Sequence, residues 1–371
     1  MYDAASDDME RTPYAVDLFA GAGGFSLGAI EAGFEVRGAI EKNAYAVRTY
    51  ERNIRNRSGR RIAMFEGDIL DVGPTELMVE AGLTRGQCAL LLGGPPCQGF
   101  SSHRLGKTGV DDPRNELLLR YFAFVAALRP RMFLLENVPG LLQPKHAEYL
   151  ERFMQEARNA RYEVFGPDVL NARDFGVPQN RKRVFILGIC EESPRIEADW
   201  PPQATHAKPA VAKELGLRPW RTAKDAFGPV ERTGDPNDLH MNHGQALLDA
   251  FRSTPPNGGS RSQSNRTLPC HRTHRGHHDV YGRICVDYPS PTMTTACINP
   301  SKGRFVHPYE HHGITARQAA RLQSFPDEFV FEGGLMAAGV QIGNAVPVRM
   351  AAQLCRALLA TLTTDFTTKV A

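Results

Sequence analysis

The residues best suited to covalent chemistry lie in GGPPCQGFS, residues 93–101. Cys97 follows two prolines at the end of an apolar run. Prolines fix φ and remove backbone donors, so this turn is stiff. A cysteine is more often small buried filler, but filler does not need a Pro-Pro-Cys turn followed by Gly-Phe-Ser. The setting suits a nucleophile whose reactive form is the thiolate. Glu136, in ENV after the apolar run MFLL, offers a carboxylate at a neighbouring strand end, although a strand-terminal acid is common by itself. In QNRKRVFILG, residues 179–188, Arg181 and Arg183 alternate with Lys182. Such alternation points both arginines to one face of an extended strand. Two converging guanidiniums suit an anionic or carbonyl-rich ligand.

A second group of residues could hold a nucleoside. DLFAGAGGFSLG, residues 17–28, brings Asp17, Phe19, Gly21, Gly23 and Gly24 to a turn between a strand and a helix. Glycines there let a ligand approach the backbone, and the spacing departs from GxGxxG, which weakens a nicotinamide reading. Glu41 ends the next strand, where an acid can bind ribose hydroxyls. Asp68, in EGDI, ends a third. Two acids after successive strands suit a neutral nucleoside, whereas either one alone is more often a turn residue or cap.

These residues need a scaffold. YAVDLF, EVRGAIE, CALLLGG, MFLLENV and RVFILGI read as strands, and their near-continuous apolar character predicts mostly parallel strands buried on both faces. Residues 24–32, 43–53, 116–128 and 147–160 have helical periodicity. This alternation predicts a doubly wound α/β sheet, with ligands at the carboxyl ends of its strands. After Cys190 the chain turns loop-rich in Pro, Gly, Ser, Arg and His. Helical character returns in ARQAARLQ and again at about 347–361.

The net charge of +3 hides local clusters. One is Arg52, Arg55, Arg57, Arg60 and Arg61. Another spans residues 251–278, without Asp or Glu and with Arg252, Arg261, Arg266, Arg272 and Arg275. Such clusters suit phosphate contact, and the first reads equally well as a solvated face. The seven cysteines include no CxxC pair, so reduced thiols are expected. The histidines and cysteines of residues 270–285 match no common zinc spacing, and no metal is expected. No apolar run reaches the ~20 residues of a membrane span, and the polar start is no secretory signal, so a cytoplasmic protein is expected.

Taken in order, the blocks DLFAGAGG, Glu41, GDI, PPCQGFS, ENV, QNRKR, PSPTMTT, RQAARLQSFP and GNAVP resemble the bacterial DNA (cytosine-5) methyltransferase family from about Val16 to Val348. The resemblance implies a Rossmann-like S-adenosylmethionine-dependent methyltransferase domain, which would release S-adenosylhomocysteine, and a smaller target-recognition domain. It implies Phe19 on the cofactor adenine, Glu41 on its ribose, Asp68 and Ile69 flanking the adenine, and Pro95 and Asn344 nearby. Cys97 would attack C6 of a flipped cytosine, and Glu136 would hold its N3 and N4 edge. Arg181 and Arg183 would contact O2 and the backbone near it. Gln179 and Thr292 would contact DNA, with Thr292 on a phosphate. Residues 98–114 would close over the duplex, with Ser102, His103 and Arg104 as candidates to fill the stack. Arg266, Arg272 and Arg275 are candidates to read bases. Lys42 stands where some members carry a large aromatic, which leaves the second adenine face open.

The expected organisation is a catalytic domain of residues 1–190 plus 335–371, a recognition domain at 191–313 and a hinge at 314–334. Double-stranded DNA is the expected partner, bound by a monomer, with any restriction endonuclease acting separately. An RNA cytosine-5 methyltransferase, a catalytically silent DNA-binding regulator and a nicotinamide oxidoreductase are the rival readings. PPCQ, ENV and QxRxR have no role in the last of these.

Overall fold

A computed structural model describes residues 12–56, 58–59, 61–95, 113–192, 199–229, 234–265 and 279–367. Seven strands form its central sheet: β1 (Tyr14–Leu18), β2 (Glu35–Glu41), β3 (Ala63–Glu66), β4 (Cys88–Gly93), β5 (Met132–Asn137), β6 (Tyr162–Asn171) and β7 (Lys182–Cys190). Their order is β3-β2-β1-β4-β5-β7-β6. β1 to β5 pair in parallel, while β7 lies antiparallel to both β5 and β6. Every residue of β4 and β5 is buried, as expected where helices cover both faces of a parallel sheet. β6 has no counterpart among the expected strands. It is an edge strand with few fully buried positions, and it contains Pro167, which an edge tolerates.

The strands are joined by α1 (Gly24–Ala32), α2 (Ala44–Asn53), α3 (Pro74–Glu80), α4 (Pro113–Leu128) and α5 (Ala147–Asn159). α2 starts where the Asn43 side chain accepts from the Tyr45 and Ala46 amides, a normal N-cap. Among the described residues after Cys190, regular elements are short until the end of the chain: β8 (His206–Ala207), α6 (Pro209–Leu215), β9 (Arg218–Pro219), α7 (Gln245–Ser253) and α8 (Ala316–Leu322). Then come α9 (Gly334–Asn344) and α10 (Val348–Thr367). α10 returns to the sheet domain and packs on α1 so closely that a Cβ on Gly28 would stand 2.4 Å from that of Ala351. The stretch Gly334–Leu362 is apolar and long enough to cross a membrane by composition, yet its apolar window is 67% buried inside the fold.

Buried loops need partners for their polar backbone groups. Here arginines supply many of them. Arg283, 1% exposed, donates to the carbonyls of Phe251, Thr254 and His307. Arg317, fully buried, pairs with Asp235 and donates to the Phe329 carbonyl. Residues 314–334, expected as a hinge, are thus heavily buried and bonded, with Thr315, Arg317 and Gln323 all in the interior.

Candidate active site

Strand register brings the expected chemistry to one edge. Leu18 lies opposite both Ile40 and Gly93, Glu41 opposite Glu66, and Gly93 opposite Leu135. Residues 19–24, Glu41, Asp68, Gly94 and Glu136 therefore follow one another along the carboxyl ends of the parallel strands. Strand order reverses between β1 and β4, the switch point at which open α/β sheets bind ligands.

At this edge the turn after β1 is closely fitted. Phe19 has φ 61°, uncommon for a bulky side chain and typical of strained functional turns. Gly23 has φ 91°, and a Cβ there would meet Tyr50 and Ile54 at 2.9 Å. Gly21 faces open space. Glu41 accepts from the Gly21 amide at 2.9 Å and the Asn43 amide at 2.7 Å, and a carboxylate has lone pairs to spare beyond these two bonds. Asp68 accepts from the Leu70 amide at 3.1 Å, and its other oxygen lies 3.4 Å from Lys42 Nζ. Asn344 is exposed at the end of α9.

Two residues expected to line the cofactor have buried side chains. Asp17 is 1% exposed beneath the turn. It accepts a 2.6 Å bond from Ser26, whose oxygen accepts from Tyr50 at 2.8 Å. Burial pushes the Asp17 carboxyl up to about 7, against the pull of the Ser26 hydrogen bonds. Asp17 is a buttress of the turn. The Ile69 side chain, 3% exposed, packs into the core, and its carbonyl accepts from Arg120 at 2.7 Å. The Tyr50–Ser26–Asp17 chain escapes sequence reading, because nothing local links position 50 to position 17.

At the next strand ends, Glu136 and Arg183 form an ion pair at 2.8 Å, with side chains 11% and 13% exposed. The second Glu136 oxygen lies 3.4 Å from where a Gly94 Cβ would stand. Asn137 Nδ2 reaches the Pro95 carbonyl at 3.4 Å, and Asn137 Oδ1 accepts from the Val138 amide at 2.8 Å. The ENV segment thereby braces the start of the turn that leads to position 97. Cys97 itself, the closing loop with Ser102, His103 and Arg104, and the candidate readers Arg266, Arg272 and Arg275 lie outside the described residues. Cys88 is no substitute nucleophile. It is fully buried at the start of β4, and desolvation pushes its thiol up to about 12.

Three further residues expected at the site have their polar groups engaged within the protein. Arg181 precedes β7 and turns inward. It is fully buried and donates to the carbonyls of Met293, Gly343 and Ala345. Burial and the nearby Arg183 push its pKa down, with Glu136 opposing. Gln179 is also fully buried, bonded to Leu322, Gln323 and Met293. Neither side chain reaches the surface in this structure. Thr292 directs its hydroxyl proton to the Asn180 carbonyl at 2.6 Å, so that proton is not offered to a phosphate. The Arg52–Arg61 cluster is partly spent as well: Arg52 pairs with Glu332, and Arg55 bonds carbonyls of its own helix end.

The profile of C-5 cytosine-specific DNA methylases matches residues 14–360. M.DdeI, a Type II methyltransferase of Desulfomicrobium norvegicum, is 32% identical over 91% of this chain and 86% of its own length. M1.HphI of Haemophilus parahaemolyticus is 31% identical over 93% and 86%. A solved structure described as an Escherichia coli prophage-encoded DNA modification methyltransferase superposes with TM-score 0.70 over 94% of this chain and 99% of that one. At 24% identity, it speaks for the fold. The chain is a DNA (cytosine-5) methyltransferase acting on double-stranded DNA, and it belongs to the C-5 cytosine-specific DNA methylase family.

Proposed function

We propose that Cys97 adds to C6 of a cytosine extruded from the duplex, so that C5 becomes nucleophilic enough to take a methyl group. The observation carrying this reading is the Glu136–Arg183 pair set beside Gly94 and Pro95, at the root of the turn that bears Cys97. Cytosine C5 is a poor carbon nucleophile, and thiolate addition converts the ring into an enamine. Glu136 holds the N3 and N4 edge and supplies or shares the proton at N3. Arg183 keeps that carboxyl in place and faces the O2 side. Its charge also favours the thiolate. After methylation a base removes the C5 proton and the Cys97 thiolate leaves. Extruding the base costs a few kcal/mol, which loop closure and phosphate contacts offset.

The glycine turn fits S-adenosylmethionine. Gly21 leaves the backbone open, Phe19 offers an aromatic face, and Glu41 and Asp68 carry carboxylates suited to ribose hydroxyls and the adenine amino group. The bound cofactor supplies an electrophilic sulfonium methyl. Asn344 lies on the methionine side. Catalysis belongs to the sheet with residues 335–371, and target reading to residues 191–313. The relatives named Type II methyltransferases favour a modification enzyme. In this reading it works as a cytoplasmic monomer on nucleoid DNA, any endonuclease acting separately.

Expression in methylation-free bacteria followed by bisulfite sequencing should reveal one short protected motif. A duplex carrying 5-fluorocytosine at that motif should become covalently joined to the wild-type protein with cofactor present, and not to Cys97→Ser. Motif methylation without such an adduct would defeat the proposed route.

A further inference from the structure

The buried side chains of Gln179, Gln323 and Arg181 form a single knot. Gln179 Nε2 donates to the Leu322 carbonyl at 3.0 Å and to Gln323 Oε1 at 2.9 Å, while its Oε1 accepts from the Met293 amide at 2.9 Å. Gln323 Nε2 donates to the Ile342 carbonyl at 2.6 Å and that of Ala345 at 3.2 Å. Arg181 spans the same gap, from the Met293 carbonyl at 2.8 Å to those of Gly343 and Ala345 at 2.8 and 3.0 Å. All three side chains are fully buried. The contact beneath them leaves no slack: a Cβ on Gly343 would stand 2.3 Å from the Thr294 backbone. Alongside, Asn180 donates its amide to Ser290, and Ser290 donates to Pro178, which stitches the lead of β7 to the same segment.

The knot joins three parts with different duties. Residues 290–295 lie within the segment 191–313 to which target reading is assigned above. Residues 342–345 include the exposed Asn344. Arg183, two positions beyond Arg181, holds Glu136. Every bond of the knot ends on a main-chain group or on the other amide, so the side chains fix backbone position and do not present a reactive atom. Donors and acceptors alternate through the two glutamines. Neither end can shift by an ångström without stranding a buried partner, which is costly in a low-dielectric interior.

We propose that Gln323 and Gln179 are positioning residues that couple the cofactor side of the site to the DNA side, so that occupancy of one tightens the other. The proposal rests on the reading above that Asn344 lies by the cofactor. Linkage makes such coupling reciprocal and measurable as a ratio of affinities.

The test uses the full chain and S-adenosylhomocysteine, titrated alone and with a saturating duplex carrying the methylated motif's target. For the wild type we expect duplex to tighten S-adenosylhomocysteine by on the order of tenfold. In Gln323→Met, which keeps length and burial but loses both donors and the acceptor, that factor should fall to about twofold or less, while affinity without DNA changes less than the coupling does. A wild-type factor that survives in Gln323→Met, or a wild-type factor near one, overturns the proposal. Gln179→Met gives a second arm with the same expectation. Should both variants fail to fold, hydrogen exchange on the wild type decides: S-adenosylhomocysteine alone should slow exchange across residues 293–295. Unchanged exchange there overturns the coupling. Loss of cofactor binding or of methylation in the wild type would instead strike the functional reading, so the two failures are distinct.

Discussion

Replacing Asp17 with Asn should change how stability depends on pH. Asp17 is 1% exposed, and burial holds its carboxyl near 7 rather than the ordinary 3.8. The folded state therefore binds this proton more tightly than the unfolded chain does. The stability it contributes is complete below pH 3.8 and is lost as pH rises to about 7. At about 1.4 kcal/mol per pH unit, the loss is on the order of 4 kcal/mol. His206 and His307 act in the opposite sense. Burial pushes each from 6.5 down to about 4, so their contribution is present above 6.5 and fades as pH falls towards 4. Wild-type stability alone mixes these effects, and only the difference between variant and wild type isolates Asp17. Asn keeps an oxygen for the Ser26 hydroxyl and carries no titrating proton. Urea unfolding of cofactor-free protein from pH 4.5 to 8 should show the variant gaining on the wild type by about 3 kcal/mol across that range. Two curves that remain parallel would refute the assignment of a buried, proton-holding carboxyl.

Glu136→Gln should lower kcat by about 10²–10⁴-fold with little change in duplex affinity, read from single-turnover methyl transfer and DNA titration. Gly28→Ala forces α1 away from α10, since the new methyl would stand 2.4 Å from the Ala351 Cβ. It should cost about 1–3 kcal/mol in urea unfolding. Asp235→Asn leaves the fully buried Arg317 guanidinium without its anion and should destabilise by about 3–5 kcal/mol, seen as a fall in denaturation midpoint.

The strand-end edge that gathers Glu41, Asp68 and Glu136 was legible because its signals are local. An acid closing an apolar strand and a glycine turn each announce themselves within about ten residues. The sheet was legible for the same reason in β1, β2, β4, β5 and β7, whose apolar runs are continuous. β6 was not, because an edge strand needs little apolar patterning, and its proline and acids read as loop. The arginine pair shows the limit most clearly. Alternation placed Arg181 and Arg183 on one face, but β7 begins at Lys182. Arg181 belongs to the lead-in, where it turns into the interior to meet carbonyls more than 100 residues away in sequence. The burial of Gln179 was illegible in the same way, since a polar residue beside a basic motif resembles a surface contact, and its partners are visible only in three dimensions.

The reversed direction of β7 has an evolutionary corollary. Because this strand starts at the catalytic rim and finishes at the far end of the sheet, the polypeptide leaves the enzyme's chassis remote from the reacting base. Material added, removed or exchanged just after Cys190 need not disturb the Arg183–Glu136 geometry. A lineage could thus acquire a new word to read while retaining its chemistry, provided the returning segment still docks where residues 290–295 do now.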